Sequence, residues 1–277
     1  MNHTIEERRA IAAKWYQRLG IDPRYLEEFR TALATAEPDP TVDPVKFAEG
    51  NPQGVGALIQ LLYACEALSE RFRLAGISEE IFLATMDDIR IYCEEWSAVK
   101  GELTMGTVNW LRHHFNMELF RLGRLQFCMA PTRDAYPERD IPLGAPILEV
   151  HIPRGEKMTP EVCIASFREA RVFFAKYFPE YSYSHFTCNS WLLDASLSDF
   201  LPPDSNIIRF GAMFDRIRIS EGYYMLSYLY PIGTTVKTLP SVTPKTSLAA
   251  KVKDAILSGR VFYPSFGVIP ADFFDED

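Results

Sequence analysis

The chain has 277 residues, of which 47% are hydrophobic, 13% aromatic and 24% charged, with a formal net charge of −8. This composition excludes a disordered chain, which carries too little apolar surface to offset its conformational entropy, and at this length one large or two ordinary domains can form. The acidic balance opposes any role that rests on broad neutralisation of phosphates, so nucleic acid is not an expected partner, while a local basic patch still serves a small phosphorylated ligand because charge acts over about 8–10 Å.

Residues 5–19 place Ile11, Ala12, Trp15 and Leu19 on one helical face. Asp22-Pro23, an N-cap followed by proline at the first helical position, opens a second helix with Leu26, Phe29 and Leu33 inward. Pro38, Pro40, Pro44 and Pro52 mark a linker without regular helix. The next helix, over 54–75, sets Leu58, Leu61, Leu62, Cys65, Leu68 and Phe72 at helical spacing and ends at Gly76. Ser78 caps another, which carries Ile81, Phe82, Ile89, Tyr92 and Trp96. Such stripes read as the core of a helical bundle. His113 and His114 are adjacent rather than four apart, so a helix cannot present both to one metal, and they read as a polar turn.

Near residue 118 the period changes. Residues 119–129 read as a strand, 131–146 as a loop and 147–152 as a second strand, after which Pro153-Arg154-Gly155 turns the chain. Thr159-Pro160 begins a long helix with Val162, Phe167, Ala170, Phe173, Phe174 and Tyr177 on it. A strand over 185–193, a broken helical segment over 196–214, an aromatic strand over 223–230, a helix over 247–257 and a last strand over 262–269 complete the order. The fold class is α+β, with an all-helical N-terminal domain over residues 1–115 and a mixed α/β domain over 116–277. No internal repeat is visible.

Five cysteines, Cys65, Cys93, Cys128, Cys163 and Cys188, are scattered, odd in number and without a CxxC pair, which gives neither a disulfide framework nor a zinc site. No apolar stretch reaches the ~20 residues that span a bilayer, and no apolar segment follows the charged run Glu6 to Arg9. The expectation is a cytoplasmic protein with no membrane partner and no metal.

Four stretches carry a resemblance: Arg121-Leu-Gly-Arg-Leu-Gln-Phe127, Leu148-Glu-Val-His-Ile-Pro153, Phe167-Arg-Glu-Ala-Arg171 leading to Phe178-Pro179-Glu180, and Cys188-Asn-Ser-Trp-Leu-Leu-Asp194. With Ser205-Asn206-Ile207 and Arg209-Phe210 after them, they resemble the bacterial acyltransferase-domain family that joins a helical N-terminal domain to a GNAT-like C-terminal domain. The resemblance implies an acyl-CoA-dependent N-acyltransferase acting on an amine of a small molecule or peptide, with acetyl-CoA or another acyl-CoA as co-substrate. It implies further that the donor lies between two splayed parallel strands, with its pyrophosphate on the turn into the following helix.

On that scheme Arg154 and Lys157 supply charge to the pyrophosphate, Gly155 lets the backbone approach, and Thr159 caps the helix or donates to a phosphate. Direct acyl transfer also needs a base, an oxyanion donor and an acid for the leaving thiolate. Glu149 and His151 share one strand face by the two-residue period and form a candidate base with its orienting partner. Asn189, on a face with His185, Thr187 and Trp191, is the candidate donor to the acyl oxygen. Tyr230, sharing a strand face with Tyr228, is the candidate acid, whereas Cys188 reads as a small buried apolar residue. Two departures separate the chain from the family pattern: Pro153 to Pro160 holds one glycine where two are usual, and Asn189 stands where the family carries histidine. They leave a non-catalytic ligand-binding or interaction protein on a decayed GNAT scaffold as the alternative.

Overall fold

The structure is a computed structural model that describes residues 3–218 and 221–274. The chain divides into two units, one ending at Leu122 and the other beginning at Gly123.

The first unit opens with α1 (Ile5–Arg18), started by a capping box in which the Glu7 N–H donates to Thr4 Oγ1 and the Thr4 N–H donates to Glu7 Oε2. A 3-10 turn over Pro23–Tyr25, begun by Asp22, leads into α2 (Leu26–Thr35). The segment expected to be a helix-free linker holds one short helix, α3 (Pro44–Glu49). Proline breaks a helix interior, but Pro44 stands at the first position, where its missing N–H costs nothing, and Asp43 accepts from the Val45 and Lys46 N–H groups. Next come α4 (Val55–Leu74), α5 (Glu79–Lys100), the single turn α6 (Arg112–Phe115) and the strand β1 (Leu119–Leu122). The core is aromatic. Trp15 and Phe72 both meet Phe82 edge-on, with ring centroids 5.2 and 5.1 Å away, and Phe120 packs on Phe72 at 5.6 Å.

The two histidines are not a polar turn. His113 contacts Glu118 at 2.7 Å, while His114 is fully buried with its Nε2 3.0 Å from Asp88 Oδ2 on α5. The pair ties α6 to the bundle, and helical periodicity could not reveal it because Asp88 lies 26 residues away. Removing one partner of such a buried pair strands the other. Asp88→Ala is therefore expected to lower stability by about 3 kcal/mol or more in urea unfolding, and an unchanged midpoint would contradict this role.

The second unit is built on β2 (Leu125–Pro131), β3 (Pro146–His151), β4 (His185–Ser190), β5 (Asp215–Arg218) and β6 (Ser265–Pro270), ordered β2-β3-β4-β6-β5. β2 and β3 are antiparallel from Gln126↔His151 to Pro131↔Pro146, and β4 and β6 are antiparallel from His185↔Pro270 to Ser190↔Ser265. Between them β3 and β4 run parallel, joined by α7 (Pro160–Tyr177). Phe167 of α7 packs on Phe127 and Phe186, with centroids at 5.6 and 5.0 Å, which buries one sheet face. On the other face Tyr136, from the loop between β2 and β3, stacks on Phe266 at 4.4 Å and 8°.

Several boundaries differ from the sequence reading, among them the last strand, expected over 262–269 and found over Ser265–Pro270. The strand expected over 119–129 is broken at Gly123-Arg124 into β1 and β2. The strand expected over 185–193 stops at Ser190 and becomes a 3-10 turn over Trp191–Leu193, with Ser190 Oγ accepting from the Leu192 N–H. The aromatic strand expected over 223–230 is a helical turn, α9 (Leu226–Leu229), preceded by α8 (Asn206–Gly211) and followed by α10 (Ser247–Leu257). The edge strand β5 is missed because Asp215-Arg216-Ile217-Arg218 carries one apolar residue among charges, a composition that protects edges rather than announcing strands. Among the described residues no helix is long and apolar enough to cross a membrane.

Candidate active site

The site grows out of an incomplete ladder. β3 and β4 pair only at Leu148↔Phe186 and Glu149↔Thr187, then part, although each stays paired with its outer neighbour to its end. A cleft of about 460 Å³ opens there, lined by residues 150–155 on one side and 188–192 on the other, with Arg124 and Tyr228 at its margins. Two further hollows adjoin it through Asn189. One, of about 340 Å³, adds Tyr224, Ser227 and Pro264, and a smaller one lies beside Glu149, Tyr136 and Phe266.

Both departing strands are anchored away from the gap. After β4, Trp191 enters an apolar cluster with Leu197, Met225 and Phe262. The buried Asp194 carboxylate then accepts from the Ser196 and Tyr263 N–H groups at 2.8 and 2.5 Å. After β3, the turn from Pro153 to Glu156 is held by the Arg124 guanidinium, whose Nε donates to the Glu156 carbonyl at 2.7 Å and Nη1 to the Pro153 carbonyl at 2.9 Å. Gly155 in this turn has φ +150°, a conformation that side chains disfavour, so the bare backbone faces the cleft.

Four of the residues singled out from the sequence meet at this cleft: His151, Arg154, Gly155 and Asn189. Glu149 stands beside them. Its Oε2 is 3.8 Å from His151 Nε2, both side chains are partly exposed, and the register puts them on the sheet face that also carries Asn189. Asn189 itself is exposed at the mouth.

Three others are placed elsewhere. Lys157 is exposed on the turn outside the cleft lining. Thr159 makes no side-chain cap to α7; its hydroxyl donates to Glu161, whose carboxylate also takes its own backbone N–H and is held below the ordinary carboxylate range, that backbone bond being the first cause. The helix start is thus already provided with an anion. Tyr230 is buried, its hydroxyl donating to the Ala249 carbonyl at 2.6 Å, and burial raises its pKa. Because the chain is helical here, Tyr228 and Tyr230 do not share a face, and Tyr228 is the one at the cleft.

Arg124, Ser190, Trp191 and Tyr228 line the cleft without having been selected from the sequence. Arg124 lay inside a stretch read as continuous strand; an arginine beside a glycine between two apolar runs was the available signal for a turn. Cys188 also borders the cleft, but it is 1% exposed and burial, reinforced by the Glu149 charge, pushes its thiol pKa well up. A thiol held protonated is a poor nucleophile. In the folded protein Cys188 should therefore resist iodoacetamide at neutral pH in peptide mapping, and rapid alkylation there would contradict this assignment.

Residues 119–269 match the family model described as the GNAT-like C-terminal domain, and residues 4–117 match the N-acyltransferase N-terminal domain. Solved structures similar to the chain include an acyltransferase in complex with decanoyl-CoA and teicoplanin, at 23% identity and TM-score 0.78, with 94% of this chain and 87% of that one covered. A mutant acyltransferase in complex with octanoyl-CoA matches at 24% identity over the same shares, also at TM-score 0.78. At such identity the likeness is one of fold. The comparison with curated proteins gives no match.

Proposed function

The chain belongs to the family of the GNAT-like C-terminal domain and carries an N-acyltransferase N-terminal domain ahead of it, and from that premise we propose that it transfers an acyl group from acyl-CoA to an amine of a peptide-like or small-molecule acceptor. The observation that carries this reading is the gap between β3 and β4. Two parallel strands that stop pairing leave edges able to hydrogen-bond an extended, amide-bearing chain, as an added strand would. Pantetheine is such a chain. Arg154 and the glycine backbone at the end of the gap suit its diphosphate.

In this scheme the acceptor nitrogen attacks the thioester carbonyl carbon, the C–N bond forms, and the C–S bond breaks to release CoA thiolate. His151 takes the proton from the attacking amine, and Glu149 steadies the resulting imidazolium. Asn189 Nδ2 donates to the carbonyl oxygen as negative charge collects there. The base therefore sits on β3, so asparagine at position 189 is compatible with turnover. Since relatives were solved with octanoyl- and decanoyl-CoA and one of them with teicoplanin, a medium-chain donor and a glycopeptide-like acceptor lead the candidates, with acetyl-CoA at the short end of the series to be assayed. The hollow beside Trp191, Tyr224 and Tyr228 offers aromatic faces among the polar groups of Asn189, Ser190 and Ser227, a lining that suits an amphipathic group.

Titration with CoA tests the reading. Ligand at about 100 times its dissociation constant should stabilise the fold by ~2.7 kcal/mol, and Arg154→Glu should weaken binding about tenfold or more. No thermal shift at millimolar CoA would sink the proposal. In acyl-transfer assays His151→Asn is expected to lower kcat by about 100-fold or more with CoA affinity nearly unchanged. Equal activity in that variant would remove His151 from the chemistry.

A further inference from the structure

We propose that Arg124 is the positioning residue of the donor site, holding the backbone from Pro153 to Glu156 in the shape that receives the diphosphate of CoA. The proposal rests on the acyl-CoA reading above and adds to it the device that shapes the turn.

The device begins one residue earlier. Gly123 has φ +62°, and a Cβ there would stand 2.8 Å from Ser166 Oγ, so the turn before β2 lies against α7 with no side chain between them. The Arg124 N–H donates to Ser166 Oγ at 2.8 Å, and Ser166 Oγ donates to the Val162 carbonyl at 3.0 Å, which fixes where the arginine starts. Its side chain then runs to the cleft margin and takes two carbonyls of one turn, Pro153 and Glu156.

Those carbonyls carry partial negative charge that would repel a diphosphate. Bound to one rigid planar group, they are turned toward the arginine, and the residues between them, Arg154 and Gly155, face the cleft. Arg124 as a residue is 9% exposed, so its charge is partly shielded from water. It is felt at α7, where burial pushes the Cys163 thiol up to about 11 while Arg124 pulls the other way. Lysine at this position would keep the charge and lose the fork, which separates positioning from simple attraction.

The test uses Arg124→Lys in the full chain, with Ser166→Ala as a second variant that loosens the same arginine from its other end. Amide hydrogen exchange of residues 154–157 is read without ligand, and dissociation constants are measured for CoA and for pantetheine, which lacks the diphosphate. The expected result for Arg124→Lys is exchange at 154–157 faster by about tenfold, CoA binding weaker by about tenfold and pantetheine binding within about twofold. In turnover, KM for acyl-CoA should rise by the same factor while kcat at saturation holds within about threefold. Ser166→Ala should shift CoA binding in the same direction by about threefold. Unchanged exchange and unchanged CoA affinity would overturn the proposal, as would equal weakening of both ligands, which marks a general loss of structure. Faster exchange in the variant together with no CoA binding by the wild type would overturn the donor-site role and the acyl-CoA reading together, whereas CoA binding that Arg124→Lys leaves intact overturns this inference alone.

Discussion

The site depends on a parallel ladder that stops after two residue pairs. β3 and β4 pair at Leu148↔Phe186 and Glu149↔Thr187, while β2–β3 and β4–β6 continue to the strand ends. Strands of a twisted sheet do not separate without cause, because each lost pair exposes backbone polar groups. Here the causes lie on both sides. The β4 exit is drawn into the cluster around Trp191 and fixed by Asp194, and the β3 exit is drawn toward Arg124. The gap is framed by these contacts on either side.

This arrangement also sets where charge is available. The start of α7 would by itself be an anion site, but Glu161 already answers its first-turn N–H. The positive field at the cleft therefore comes from side chains, Arg154 at the rim and Arg124 behind the turn. The candidate chemistry-bearing groups, Glu149 and His151 on the β3 side of the cleft and Asn189 on the β4 side, follow from strand register: residues two apart on β3 and β4 share the face turned from α7. One geometric fact thus brings together the residues proposed as base, its partner and oxyanion donor.

Much of this was legible in the chain. The bundle helices, α7 and α10 follow from apolar spacing, caps and glycine stops, and the two-residue period brought Glu149 to His151. What escaped has a common physical cause. Arg124 reaches carbonyls 29 and 32 residues away, and His114 reaches Asp88 across 26, so neither contact leaves a local pattern. The mistaken strand over 223–230 shows the reverse failure: aromatic residues favour strands on average, yet here Met225, Leu226 and Tyr230 pack into a helical corner against Ala249 and Val252. The strand period puts Tyr230 on a face with Tyr228, whereas in the helical corner it turns inward. Thr159 sits at the N-cap as expected, but Glu161 took its hydroxyl, a competition between neighbours that spacing cannot rank.

On the proposed function, the gap between β3 and β4 receives the extended arm of an acyl-CoA. Amide hydrogen exchange of the whole chain with and without saturating decanoyl-CoA tests it most directly, since it reports which backbone groups the ligand covers. Protection is expected to concentrate at residues 150–155 and 188–191. Protection elsewhere with these two segments unchanged, or none at millimolar ligand, would contradict it.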